Sequence, residues 1–219
     1  MKRCLVINPN TTVAVTEMVL AACRRAQPAL QWEGATARFG APYDADEVSY
    51  AKAGHAVLDA FEAFYAGQDA VLLACFGDPG LLALRELTSV PVTGLAQSSL
   101  EAAGRRGRFA VVTGGHAWGP MLARFAREHR LDDHLVAIET IDWTGAQIAL
   151  DPDGAREALV DAAQRGIDAG AQHILLGGAA LAGLAPLLQP HVPVPVLDNV
   201  ELAAQVVSHA FASTQGAYP

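Results

Sequence analysis

Short apolar runs alternate with stretches of helical periodicity along the whole chain. Cys4 to Ile7 reads as a strand, and Thr11 to Ala26 as a helix with Met18, Val19 and Cys23 on one side. Leu30 to Phe39 is a weaker strand, and Asp46 to Ala66 a long helix. Ala70 to Cys75 is continuously apolar, as a strand buried on both faces requires. Asp78-Pro79 follows it. Asp suits an N-cap and Pro the first helical position, so a helix is predicted to start there. Val90 to Leu95 is the next strand and Ser98 to Gly104 the next helix.

The alternation then begins again. Phe109–Thr113, Leu135–Ile141, His173–Leu176 and Val194–Leu197 read as strands. Between and after them, Trp118–His129, Asp153–Ala169, Ala180–Leu188 and Val200–Ala212 read as helices. The two series match in order and at nearly one offset. Cys4–Asn8 corresponds to Phe109–Thr113, Val71–Cys75 to Ile174–Gly178, Gly80–Leu84 to Gly183–Leu187, and Val90–Val92 to Val194–Val196. Self-similarity at one spacing points to a duplicated unit.

The expected fold class is therefore α/β. Two similar lobes, each a parallel sheet flanked by helices, are related by a pseudo-two-fold axis. Residues 1–96 form the first lobe, with 200–219 packing back on it, and residues 97–199 form the second. The carboxyl ends of the strands point into a cleft between the lobes, where open parallel sheets bind ligands. The loops facing that cleft are Asn8–Thr12, Cys75–Asp78, Thr113–Trp118 and Gly177–Leu181.

Composition narrows the function. Apolar residues make up 52% of the chain and charged residues 17%, which suits a packed globular core. The net charge of -8 argues against a nucleic-acid partner, because phosphate binding rests on Lys and Arg. The pairs Arg24-Arg25 and Arg105-Arg106 fall in helical stretches and read as solvated faces. The apolar run after Arg3 is too short for a signal peptide, and no run approaches the ~20 residues of a membrane span. Cys4, Cys23 and Cys75 have no framework spacing and read as reduced thiols of a cytoplasmic protein. With no CxxC, HExxH or His/Cys cluster, no metal site is expected.

Chemistry gathers at the cleft loops. Cys75 is either a buried apolar residue or a reactive thiol. Its place at a strand end, beside a predicted helix N-terminus, favours function and a thiolate. Asn8 and Asn10 are either turn formers or, with Thr11 and Thr12, a donor-rich loop. Thr113-Gly114-Gly115-His116 is either a plain loop or an anion contact. Asp198-Asn199 reads as the N-cap of the last helix, and Tyr43 and Tyr50 either line the cleft or, the favoured reading, lie in the core or at the surface.

In these loops the chain resembles the aspartate/glutamate/hydantoin racemase superfamily, nearest its hydantoin and allantoin racemase branch. Ile7-Asn8-Pro9-Asn10-Thr11-Thr12 is similar to the branch's opening motif, and Ala74-Cys75-Phe76-Gly77-Asp78-Pro79-Gly80-Leu81 to its first cysteine motif. Val111-Val112-Thr113 stands where the second lobe's motif begins. Leu175-Leu176-Gly177-Gly178-Ala179 is similar to the second cysteine motif, with glycine in place of the cysteine.

The resemblance implies a homo-oligomeric isomerase that needs no cofactor. It would move the proton next to a carbonyl or carboxylate of a small carboxylate or hydantoin substrate. Cys75 is the implied acid–base group, and Asn8, Asn10, Phe76, Gly77, Thr113, Gly114, Gly178 and Ala179 are the implied substrate contacts. Two-sided inversion needs an acid on each face. Gly178 cannot supply one, which leaves His116 or a bound water as the candidate second acid. A cysteine at Gly178 is expected to raise racemase activity. Two alternatives follow from the single thiol. One is a decarboxylase of a malonate-like diacid, or a cis-trans isomerase using Cys75 as nucleophile. The other is a binding protein of the same fold with impaired catalysis.

Overall fold

The computed structural model describes residues 1–215; residues 216–219, the end of the segment expected to pack on the first lobe, lie outside the described residues. The first sheet holds β1 (Arg3–Asn8), β2 (Gln31–Thr36), β3 (Ala70–Leu73) and β4 (Val92–Gly94), all parallel, in the order β2-β1-β3-β4. The second holds β5 (Phe109–Gly114), β6 (Leu135–Ile141), β7 (His173–Leu176) and β8 (Val196–Asp198), again all parallel, in the order β6-β5-β7-β8. Each sheet starts at an inner strand, steps outward, then crosses back past it. The shared strand order is what a duplicated unit produces.

The helices of the first series are α1 (Val13–Ala26), α2 (Glu47–Phe64), α3 (Leu81–Leu87) and α4 (Leu95–Gly104). Those of the second are α5 (Trp118–Glu128), α6 (Gly145–Leu150), α7 (Pro152–Asp168), α8 (Ala185–Leu188) and α9 (Asn199–Gln215). Along β1, Leu5 and Ile7 face a core with α2 and α3, while Cys4 and Val6 face a second core. That second core runs on without a break through α1, α4 and α9 into both faces of the other sheet. One apolar interior therefore joins the lobes and fixes the cleft between them. α9 follows the last strand of the second sheet but packs on α1, α4, β3 and β4. Asp198 caps it, accepting hydrogen bonds from the N–H groups of Val200 at 2.8 Å and Glu201 at 3.2 Å.

Three local expectations change. The helix predicted from Asp78 begins at Leu81, after Gly80. Asp78 itself adopts a left-handed φ of 53°. Its carboxylate turns away to accept hydrogen bonds from the N–H groups of Ala96 (2.9 Å) and Gln97 (2.7 Å), so it caps α4 instead of the adjacent helix. The helix predicted over Ala180–Leu188 divides into a 3-10 turn, Ala179–Leu181, and the short α8, with Gly183 between them at a φ of 86°. α6 was not foreseen, although Thr144 and Gln147 bond reciprocally as a capping box at its start. Among the described residues no helix is long and apolar enough to cross a membrane.

Candidate active site

The strand ends of the two sheets enclose a small, tight cavity of about 30 Å³. Six of the residues expected from sequence line it: Asn10, Cys75 and Phe76 from the first lobe, and Thr113, Gly178 and Ala179 from the second. Val15, Tyr43, Asp44, Trp118 and Ala180 complete most of the wall.

Cys75 lies just past β3 and is only 7% exposed. Its thiol donates toward Asp44 Oδ2 at 3.9 Å. Burial pushes the thiol well above its ordinary range, and the carboxylates of Asp44 and Asp78 push the same way. This overturns the expected thiolate. The adjacent helix starts only at Leu81, and removing the sulfur from water outweighs any pull from it. Resting Cys75 is a neutral thiol.

Asp44 arrives on the connection between β2 and α2. Burial raises its carboxyl to about 6, with the hydrogen bond from Cys75 working against the rise. Its backbone carbonyl accepts a hydrogen bond from Trp118 Nε1 at 3.1 Å, which ties the loop to α5 of the other lobe. Tyr43, expected in core or at the surface, stands on the cavity wall beside it, its phenol pushed by burial to about 12. Tyr50 closes the same side from behind, its hydroxyl donating to the Gly77 carbonyl at 2.7 Å.

Asn8 does not line the cavity. It is fully buried and organises the loop, its Nδ2 lying within reach of Asn10 Oδ1 at 3.0 Å and Thr16 Oγ1 at 3.1 Å. Its Oδ1 accepts from the Asn10 N–H at 3.2 Å. Asn10 in turn accepts from the Thr12 N–H at 3.0 Å, and so is held facing the cavity. Gly77 and Gly114 also lie off the wall, packed against Trp118 and against the Trp143 carbonyl respectively.

His116 is not brought to the cavity. Its side chain is 66% exposed, with Nδ1 at 2.9 Å from Thr140 Oγ1 and Nε2 at 3.9 Å from Asp142. His173 sits at the opposite, amino end of its strand, donating to the Ala103 carbonyl at 3.1 Å. Neither lines the cavity that holds Cys75.

Gly178 follows β7 as Cys75 follows β3, but with a φ of 129°, a conformation that L side chains rarely adopt. The expected gain from a cysteine there meets a backbone already committed to glycine. Phe76 crosses from the first lobe to fill the place where Gly177 would carry a side chain.

Sequence reasoning missed Asp44 and Trp118. Asp44 sits in a loop without periodicity, and only the three-dimensional path of that loop brings it to the thiol. Among the described residues no group of three His, Cys, Asp or Glu side chains gathers as a metal ion would need. The arrangement is a thiol and a carboxyl on one wall, side-chain donors on Asn10 and Thr113, and small residues opposite.

A family model described as Asp/Glu/Hydantoin racemase matches residues 4–207. The chain is 32% identical over 199 residues to a hydantoin racemase of Pseudomonas sp. (strain NS671), covering 89% of this chain and 80% of that protein. Its structure is similar to that of an allantoin racemase from Klebsiella pneumoniae, with a TM-score of 0.89, 32% identity, and coverage of 98% of this chain and 89% of that one. It is also similar to an allantoin racemase from Pseudomonas fluorescens, with a TM-score of 0.92, 28% identity, and coverage of 97% and 92%.

Proposed function

The chain belongs to the Asp/Glu/hydantoin racemase family, and on that footing we propose that it is a cofactor-independent racemase or epimerase with Cys75 as its acid–base group. The observation that carries this reading is the place of Cys75: a buried thiol on the wall of a small cavity between two duplicated sheets. Its substrate is a small hydantoin-like or amino-acid-derived molecule with a hydrogen on the carbon next to a carbonyl.

The reaction runs on differential stabilisation. As the α-hydrogen leaves, negative charge moves to the carbonyl oxygen, and donors aimed at that oxygen lower the barrier. Thr113 and Asn10 supply side-chain donors, and the first turn of Ala179–Leu181 supplies backbone N–H groups. Cys75 takes the proton from its own side. The other wall carries Gly178 and Ala179, so the proton returned to that face comes from water admitted where the second thiol is missing.

The single thiol also suits decarboxylation or cis-trans isomerisation of a diacid. Asp44 argues against it. A diacid would bring two carboxylates toward a third in a cavity whose described lining holds no cation. A neutral ring meets no such penalty. The buried, unpaired cysteines fit a reducing cytoplasm.

The test is proton NMR in deuterium oxide with chiral hydantoins, allantoin and amino acids, using Cys75→Ala as control. Exchange at the α-carbon with matching inversion is expected. Exchange with retained configuration would sink racemisation and turn the search to lyase and isomerase substrates.

A further inference from the structure

One ionisable group on the cavity wall has no part in the reaction described above. Asp44 is 3% exposed. Its Oδ2 faces the Cys75 sulfur at 3.9 Å, and its Oδ1 is buried without a hydrogen-bond partner among the described residues. Among the described residues no Lys, Arg or His lines the cavity to balance it. A buried carboxylate left so poorly compensated is expensive for the fold. Its loop is nevertheless pinned in this place from the opposite lobe, through the bond from Trp118.

We propose that Asp44 is the proton partner of Cys75, exchanging the thiol proton with it and so making the thiolate that removes the α-hydrogen. The S–H bond breaks, an O–H bond forms on Asp44, and the electron pair stays on sulfur. The thiolate then takes the substrate's proton, and the C–H electron pair passes into the neighbouring carbonyl. Nothing is oxidised or reduced. The last of these steps rests on the racemase reading; the thiol–carboxyl exchange does not.

The pair shares one proton near neutrality and titrates as a unit. The other ionisable groups acting on it are Asp46 on the same loop, Asp78 beyond Cys75, Tyr43 beside Asp44 and Tyr50 on α2. Asp46 and Asp78 are carboxylates too, but Asp44 is the one in hydrogen-bond contact with the thiol.

Two kinds of thiolate can be told apart without any substrate. If the proton moves to Asp44, the thiolate fraction does not depend on pH once Asp44 has ionised. If it moves to solvent, that fraction climbs tenfold per pH unit. The experiment is alkylation of the intact chain with iodoacetamide, the Cys75 rate being resolved by mass spectrometry. In the unaltered protein the rate should rise up to about pH 6 and then stay flat to roughly pH 8. In Asp44→Asn it should climb about tenfold per unit across the same range. A tenfold-per-unit climb in the unaltered protein overturns the proposal, as does a plateau that survives in Asp44→Asn. The first criterion needs no variant, and Asp44→Ser carries the same expectation as a second replacement. If the plateau behaves as expected while no substrate exchanges its α-proton, the proton pair stands and the racemase reading falls.

Discussion

Gly178 occupies in the second sheet the place that Cys75 occupies in the first, the second residue after the strand, yet its φ of 129° is one that L side chains rarely adopt. The difference between the two halves of the site is therefore in the backbone as well as in the missing sulfur.

Gly178→Cys is expected to destabilise the fold by about 1–3 kcal/mol, the usual range for a side chain held in such a conformation. For a chain of this size that lowers the melting temperature by roughly 2–4 °C per kcal/mol. It should not raise racemisation, because the thiol arrives with its loop distorted. Thermal melts and the deuterium exchange assay check both parts. An unchanged melting temperature together with faster inversion would show that the loop relaxes to accept the residue.

His116→Ala should leave turnover within about twofold of the unaltered chain, the usual reach of a surface substitution. The ring is bonded to Thr140 and near Asp142 at the surface, outside the cavity wall. A large loss in the exchange assay would put an acid where the structure has none.

Gly77→Ala should weaken the site by packing. A Cβ there would come within 2.8 Å of the Trp118 ring and 3.1 Å of Tyr50. Overpacking of this kind costs about 1–3 kcal/mol. The indole must move, and with it the bond to the Asp44 carbonyl. Stability should fall, and the flat part of the Cys75 alkylation profile should tilt. A profile unchanged in shape would separate Trp118 from the thiol–carboxyl pair.

Asp78 gives a test with a defined sign. Burial raises its carboxyl to about 7, against an ordinary value of 3.8. The folded state therefore holds this proton more tightly than the unfolded chain. Its contribution to stability is complete below about pH 4 and is lost as pH rises to about 7. Asp78→Asn removes the titration and weakens the cap on α4. Relative to the unaltered chain, the variant should be less stable at pH 4.5 and should recover ground by pH 8. Melting temperatures at the two pH values decide it, and a constant difference would contradict the assignment.

Much of the fold was legible in the sequence because it depends on apolar continuity. Ala70–Leu73 and Phe109–Gly114 are buried along their whole length, so no polar interruption blurs them. The repeated order of Cys4–Asn8 and Phe109–Thr113 carried the duplication. What failed depended on contacts distant in sequence. Asp78 has the composition of a local cap, but its carboxylate is drawn to the N–H groups of Ala96 and Gln97. Cys75 beside a predicted helix N-terminus suggests a thiolate, whereas its solvation is set by walls from both lobes. Asn8 and Asn10 look alike in sequence, yet one braces the loop and the other reaches the cavity, a division made by the direction of β1 as it ends. Asp44 had no local pattern at all. The start of α6 was different: its Thr144–Gln147 signal was present and readable.

The return of α9 onto α1, α4, β3 and β4 has a consequence for how the protein is made. The first half of the chain leaves the ribosome well before the helix that covers it. Until residues 199–215 emerge, the apolar faces of α1 and α4 have no roof, so the first lobe cannot mature during synthesis. The two halves resemble independent units in sequence, but on the ribosome the earlier one must wait for α9.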